Sequence, residues 1–333
     1  MGFNKKILAL ALGSMVGVLS TQTSASIACK NFFYKGHTPL VVNKKLSKDT
    51  MDICYAGFAV KYSGVSKTAL WSAEFITPEH LKKGKGVKRE DNFYEDPKIP
   101  SSKRALLSDY RGSGYDRGHL APSGNRADRV DQNQSFSLAN IVPQAPKANQ
   151  ENWRMVEESV RTMVTKNQEP VYIITGPLFL SPKLTKLGSG VLVPSHTYKV
   201  VFFPYRKAMS AYVTVNDNIG QTDVVSVGQL QKESGLIFFP TLQGHAVLSE
   251  RYQLPLNANS AYKTKELQLI GGQSQIFSVM PDPNAVPVIA KKSVRKQAET
   301  EIVSQIGKKL SKIEIESLKR ELEGISNVFG SGK

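Results

Sequence analysis

Tyr110-Arg111-Gly112-Ser113-Gly114-Tyr115-Asp116-Arg117-Gly118-His119-Leu120-Ala121-Pro122-Ser123 sets three glycines around an Asp-Arg-Gly-His unit. Glycines at this density let the backbone bend tightly, which brings Arg117 and His119 close together. A guanidinium grips anionic oxygens in a bidentate way and a neutral imidazole takes a proton from water, so the pair suits chemistry at a phosphate. The plainer alternative is a Gly-rich turn whose histidine only satisfies a backbone carbonyl. His37, His80, His196 and His245 lack such surroundings and read as structural.

Downstream lie Asn140-Ile141-Val142-Pro143-Gln144 and then Asn149-Gln150-Glu151-Asn152-Trp153, with Glu157 further on. Residues 149–166 have helical spacing, with Trp153, Val156, Val160, Met163 and Val164 on the apolar side. Eight helical steps turn Glu157 only about 80° from Asn149, so both can face one cavity. An amide oxygen with a carboxylate suits a hard cation that keeps most of its waters, as Mg²⁺ does. Taken singly, Asn149 also fits a helix N-cap and Glu157 a solvated helix position.

Further out, residues 55–75 alternate apolar and polar around Tyr55, Phe58, Val60 and Tyr62. Short apolar strands follow at Val171–Thr175, Lys199–Phe203 and Ser210–Val215. Strands with interspersed helices point to an α+β fold. Residues 78–104 read as a long basic loop in which Lys82, Lys83, Lys85, Lys88 and Arg89 fall close together, either a backbone-binding surface or merely a solvated one. Residues 244–289 read as an extension or linker, and 290–333 as a charged helical segment with ten basic residues against six glutamates. That segment suits docking on its own domain, homodimer pairing or another partner.

The chain has 333 residues, 40% hydrophobic and 22% charged, enough for a sizeable core and too apolar for global disorder. Its 44 Lys+Arg against 28 Asp+Glu give +16, favouring an anionic partner or simply solubility. Residues 1–26 read as a secretory signal, with Lys5 and Lys6 before an apolar stretch too short for a comfortable span; a retained anchor is the alternative. Cleavage removes those two lysines and no acid, leaving +14. The mature chain is therefore expected to be secreted or periplasmic. Only Cys29 and Cys54 occur, in the segment 27–54. In an oxidising compartment they are expected to pair, with lipidation of Cys29 behind a poor lipobox as the competing reading.

Together, Asp116 through Pro122, Asn140 through Gln144, and Asn149-Gln150 leading through Trp153 to Glu157 resemble the DNA/RNA non-specific endonucleases, the Serratia nuclease and endonuclease G group. Weaker echoes are Thr175-Gly176-Pro177, Val193-Pro194-Ser195-His196 and Gly235-Leu236-Ile237-Phe238-Phe239-Pro240. The resemblance runs from about Tyr55 to about Leu242, so residues 55–243 read as the endonuclease domain. It implies a ββα-metal (His-Me finger) site on a mostly antiparallel sheet flanked by helices. It further implies His119 as general base, Asn149 as the only direct protein ligand of Mg²⁺ (Mn²⁺ being a candidate substitute), and Glu157 holding metal-bound waters. Asn140 would order the site, Arg117 would neutralise charge at the phosphate, and Arg89 would be a second arginine for the transition state. A histidine with an ordinary pKa near 6.5 would work well around neutral pH. The expected reaction is hydrolysis of DNA and RNA to 5′-phosphate ends. Lys82, Lys83, Lys85 and Lys88 would supply backbone contacts that carry no base information. Two rivals are an inactive cationic nucleic-acid-binding protein and a nuclease toxin or effector whose C-terminus binds a partner.

Overall fold

The structure, a computed structural model, describes residues 27–288. The expected signal segment and the charged C-terminal segment therefore lie outside the described residues. Nine strands carry the argument: β1 (Thr50–Cys54), β2 (Ala59–Ser63), β3 (Thr68–Ile76), β4 (Asp116–His119), β5 (Ile141–Gln144), β6 (Val171–Leu178), β7 (His196–Phe203), β8 (Ala208–Val215) and β9 (Thr222–Val225). Seven of them form one sheet in the order β9-β8-β7-β6-β3-β2-β1. Every pairing in it is antiparallel. β4 and β5 form a separate antiparallel pair. This is the α+β, antiparallel-sheet architecture the sequence pointed to.

Alternation along the central strands builds two apolar layers. On β7, Tyr198, Val200 and Phe202 face a cluster with Trp71, Met209 and Phe238. Val201 and Phe203 face the opposite cluster, where Val156, Val160, Met163 and Val164 of helix α3 (Arg154–Asn167), which follows α1 (Pro78–Gly84) and α2 (Arg129–Ser135), pack. Those four helix residues recur at three- and four-residue steps, so one stripe is buried. Each such side chain contributes about 1.5–3 kcal/mol by leaving water. The helix ends at Gln168 in the left-handed region (φ 52). That cap stops α3 and returns the chain into β6.

One placement differs from the sequence reading and two refine it. The basic stretch after residue 78 is not all loop: Thr77 caps helix α1 (Pro78–Gly84) by accepting from His80 N. Residues 244–288 are not a free linker, because Leu248 and Ile276 join one apolar cluster and Leu254 and Ala261 the other. β1, from the segment before residue 55, is an edge strand of the main sheet. Cys29 and Cys54 are joined in a disulfide with Cα atoms 5.9 Å apart. The bond occupies the thiol that lipidation of Cys29 would need. No helix among the described residues is long and apolar enough to cross a membrane.

Candidate active site

The Gly-rich stretch folds as its glycines allow. Gly112 and Gly114 take φ of 68° and 80°, turning the chain into β4. A β-carbon on Gly118 would collide with the Gln144 side chain, so glycine is what lets β4 lie against β5. β4 ends with His119 opposite Ile141. Just beyond, Leu120 N donates to Asn140 O (2.9 Å), and the Asn140 side chain accepts from Ala121 N and donates to Ala121 O and Ser135 O. Asn140 is fully buried in the turn that precedes β5, not in the strand itself. It fixes the His119–Ala121 backbone from behind.

His119 is 9% exposed, its ring set edge-on to Phe136 (4.9 Å) and tilted against Phe93 (5.5 Å). Its Nε2 is buried without a hydrogen-bond partner. Burial, then the charges of Arg89 and Arg126, push its pKa down to about 3. This corrects the value near 6.5 expected from sequence: the imidazole is held neutral, as a proton acceptor must be, but as a much weaker base. Arg89 and Arg117 lie over Phe136 and Phe93, with guanidinium carbons 5.4 and 4.4 Å from the ring centroids. The aromatic pair that flanks the histidine thus also aims both arginines.

After β5 the chain is held by Asn216, whose side chain accepts from Ala145 N (2.8 Å). It then makes a wide helical turn, Ala148–Trp153, that runs into α3. Asn149 Nδ2 donates to Asp116 Oδ2 (2.9 Å), as does Gln150 Nε2 (2.8 Å). With its NH₂ committed to Asp116, Asn149 has its carbonyl oxygen left for a cation. Glu157 is half-buried two turns on. Burial raises its pKa, against the pull of Lys199 and Arg161.

One cavity of about 350 Å³ is lined by Arg89, Arg117, His119, Asn149 and Glu157, with Arg161 beside them. Five residues from distant parts of the chain therefore meet, and Asn140 stands behind the wall. A second cavity of about 550 Å³ shares Arg89, Arg117 and Asn149 and continues past Tyr110 and Tyr115. Lys85 lines a neighbouring hollow that shares Arg161 with the first cavity. Lys82, Lys83 and Lys88 are exposed and stand outside these walls. Asp116 lies in the motif but carries no role there, and Gln150, Arg154 and Arg161 also belong to the site without a role read from sequence. The signals available for them were adjacency to Arg117 and Asn149 and, for Arg161, the i+4 position after Glu157.

The donor set fits a mostly hydrated hard cation. Asn149 offers one oriented amide oxygen and Glu157 a carboxylate in the same cavity. Among the described residues no cluster of three or more His, Cys, Asp or Glu side chains is placed to hold a metal. A tight, protein-caged ion is therefore not what these residues would build.

The profile of the DNA/RNA non-specific endonucleases matches residues 38–244, more than half of the chain. The chain belongs to that family. The nuclease is 37% identical over 205 residues to nuclease C1 of Cunninghamella echinulata var. echinulata, spanning 56% of this chain and 81% of that relative. It is 33% identical over 208 residues to human mitochondrial endonuclease G, covering 57% and 69% of the two chains. Among solved structures, it resembles one of an EndoG/EndoGI complex with a TM-score of 0.53 and 28% identity, over 60% of this chain and 89% of that one. The family match begins at residue 38, upstream of the Tyr55 limit read from the motifs. The nuclease is thus a hydrolytic enzyme with the α+β fold of its relatives.

Proposed function

We propose that the nuclease is a secreted or periplasmic, Mg²⁺-dependent enzyme that hydrolyses DNA and RNA without regard to sequence, leaving 5′-phosphate ends. The observation that carries this reading is the meeting of a neutral histidine, two arginines, an oriented amide oxygen and a carboxylate in one cavity. His119 takes the proton from the attacking water. Arg117 and Arg89 meet the negative charge that grows on the phosphoryl oxygens. Asn149 would hold the cation through its carbonyl oxygen, and Glu157 would order water in the cavity. A divalent cation bound there supplies charge neutralisation at the phosphate and an acidic water for the leaving 3′ oxygen. The Cys29–Cys54 disulfide supports an oxidising compartment. Exposed Lys82, Lys83, Lys85 and Lys88 suit backbone contacts, which read no bases.

The test is cleavage of matched DNA and RNA with end mapping. EDTA should silence the enzyme and Mg²⁺ restore it, and His119→Ala should abolish cleavage while nucleic-acid binding persists. Near-normal turnover by His119→Ala, or full activity in EDTA, overturns the reading.

A further inference from the structure

Lys199 is a buried cation whose hydrogen bonds join the main sheet to the catalytic motif. It lies in the middle of β7 and is 1% exposed. Lysine is almost never buried unless paired, since the charged form loses its hydration. Yet its hydrogen bonds go to neutral groups: Nζ donates to Thr175 Oγ1 (2.7 Å) and to Leu120 O (3.4 Å). Thr175 is its cross-strand partner on β6, and Ser72 on β3 continues the same rung. This polar rung crosses the sheet on the face where α3 packs.

The two directions in which the ammonium points are the two halves of the site. Leu120 follows His119 directly. On the other side the ammonium lies 5.2 Å from the ring centroid of Trp153, four residues after Asn149 and four before Glu157. Burial pushes the Lys199 pKa down, and Glu157, followed by Glu74, pulls it back up; burial likewise raises the Glu157 pKa, with Lys199 the first attraction opposing it. A buried charge between two catalytic segments costs stability, so an apolar side chain of that length would fold at least as well.

We propose that Lys199 is a positioning residue: its buried side chain pins the His119 strand and the Asn149–Glu157 helix at a fixed separation. The proposal rests on the reading of His119 and Asn149 as the reacting pair. The test is Lys199→Met in the full chain, with thermal melting measured beside kcat and KM on plasmid DNA in Mg²⁺. The variant should melt within about 5 °C of the parent. Its kcat should fall about a hundredfold, with KM moving less than about threefold. An unchanged kcat overturns the proposal, and so does activity lost only in proportion to the folded fraction, which marks a merely structural lysine. Should Lys199→Met fail to fold, Thr175→Val decides: it keeps the charge but frees the ammonium, so kcat falls with KM held, and an unchanged kcat overturns the idea. A parallel His119→Ala chain separates the two readings. If that chain cleaves like the parent, the site itself is misplaced; if it is dead while Lys199→Met is fully active, only the role of Lys199 is lost.

Discussion

At the scale of single residues, the environment of His119 decides its protonation. Phe93 and Phe136 exclude water around the ring, and Arg89 and Arg126 add repulsion for a second proton. The folded pKa of about 3 lies below the unfolded value of about 6.5. Between those two values the unfolded chain binds the extra proton, so acidification in that window costs stability that is fully present above about pH 6.5. In the metal-free protein the His119 ring resonances should therefore stay unchanged from pH 8 to pH 5. A titration near pH 6.5 would show that the ring is open to solvent. Other buried ionic groups follow a different rule. Arg126 is fully buried but pairs with Glu74 and with Asp131 (3.3 Å), so its charge is met. Lys199 is not paired in this way, which is why its burial calls for a functional reason.

At the scale of elements, the site is a contact between a strand and the start of a helix. Asp116 opens β4 and accepts from both Asn149 and Gln150. One carboxylate oxygen thus sets the direction of the amide that would hold the cation. Partners that orient a ligand in this way are typically worth about 10- to 100-fold in metal affinity. Asp116→Ala should therefore raise the Mg²⁺ concentration for half-maximal cleavage by about that factor, with helix content by circular dichroism unchanged. An unshifted Mg²⁺ response would show that Asn149 is oriented by the helix alone. The helix is fixed independently by its apolar stripe against β6, β7 and β8, among them Ile173, Val201 and Tyr212. A loss confined to the metal response is thus the expected pattern.

At the scale of the whole molecule, the described chain ends are drawn onto the sheet. The N-terminal segment brings Phe33 edge-on to Trp71 (5.7 Å) and is tied by Cys29–Cys54 to β1, 25 residues along. At the other end, His196 holds the Val279 carbonyl (2.9 Å), and Ala285 O accepts from Asn218 N (2.8 Å). Pro287 then lies against Gly114, on the loop that leads into β4. A disulfide closing a loop of this length stabilises by about 3 kcal/mol, chiefly by restricting the unfolded chain. Cys29→Ser with Cys54→Ser should lower unfolding free energy in urea by about that amount without moving KM. A loss below about 1 kcal/mol would mean that the packing of Phe33, not the bond, anchors this segment.

The sequence by itself determined the finger motif, the apolar stripe of α3, the central strands and the groups His119, Asn149 and Glu157 that the cavity brings together. These depend on local geometry: glycines where the chain must turn, a period of two in strands, a period near 3.6 in the helix. Only the tertiary structure decided which side chains support them. Asn140 lies behind His119 because the turn before β5 folds back on Ala121. Lys85, at the end of α1, lines a hollow next to the site, while Lys82 and Lys83 on α1 and Lys88 beyond it are exposed and do not. Lys199 meets Leu120 across 79 residues and Thr175 across 24. The basicity of His119 likewise could not be read from its neighbours in sequence, since Phe136 and Arg126 reach it only through the fold. Charge, burial and hydrogen-bond partnership are properties of surroundings, and here those surroundings are assembled from segments far apart in the chain.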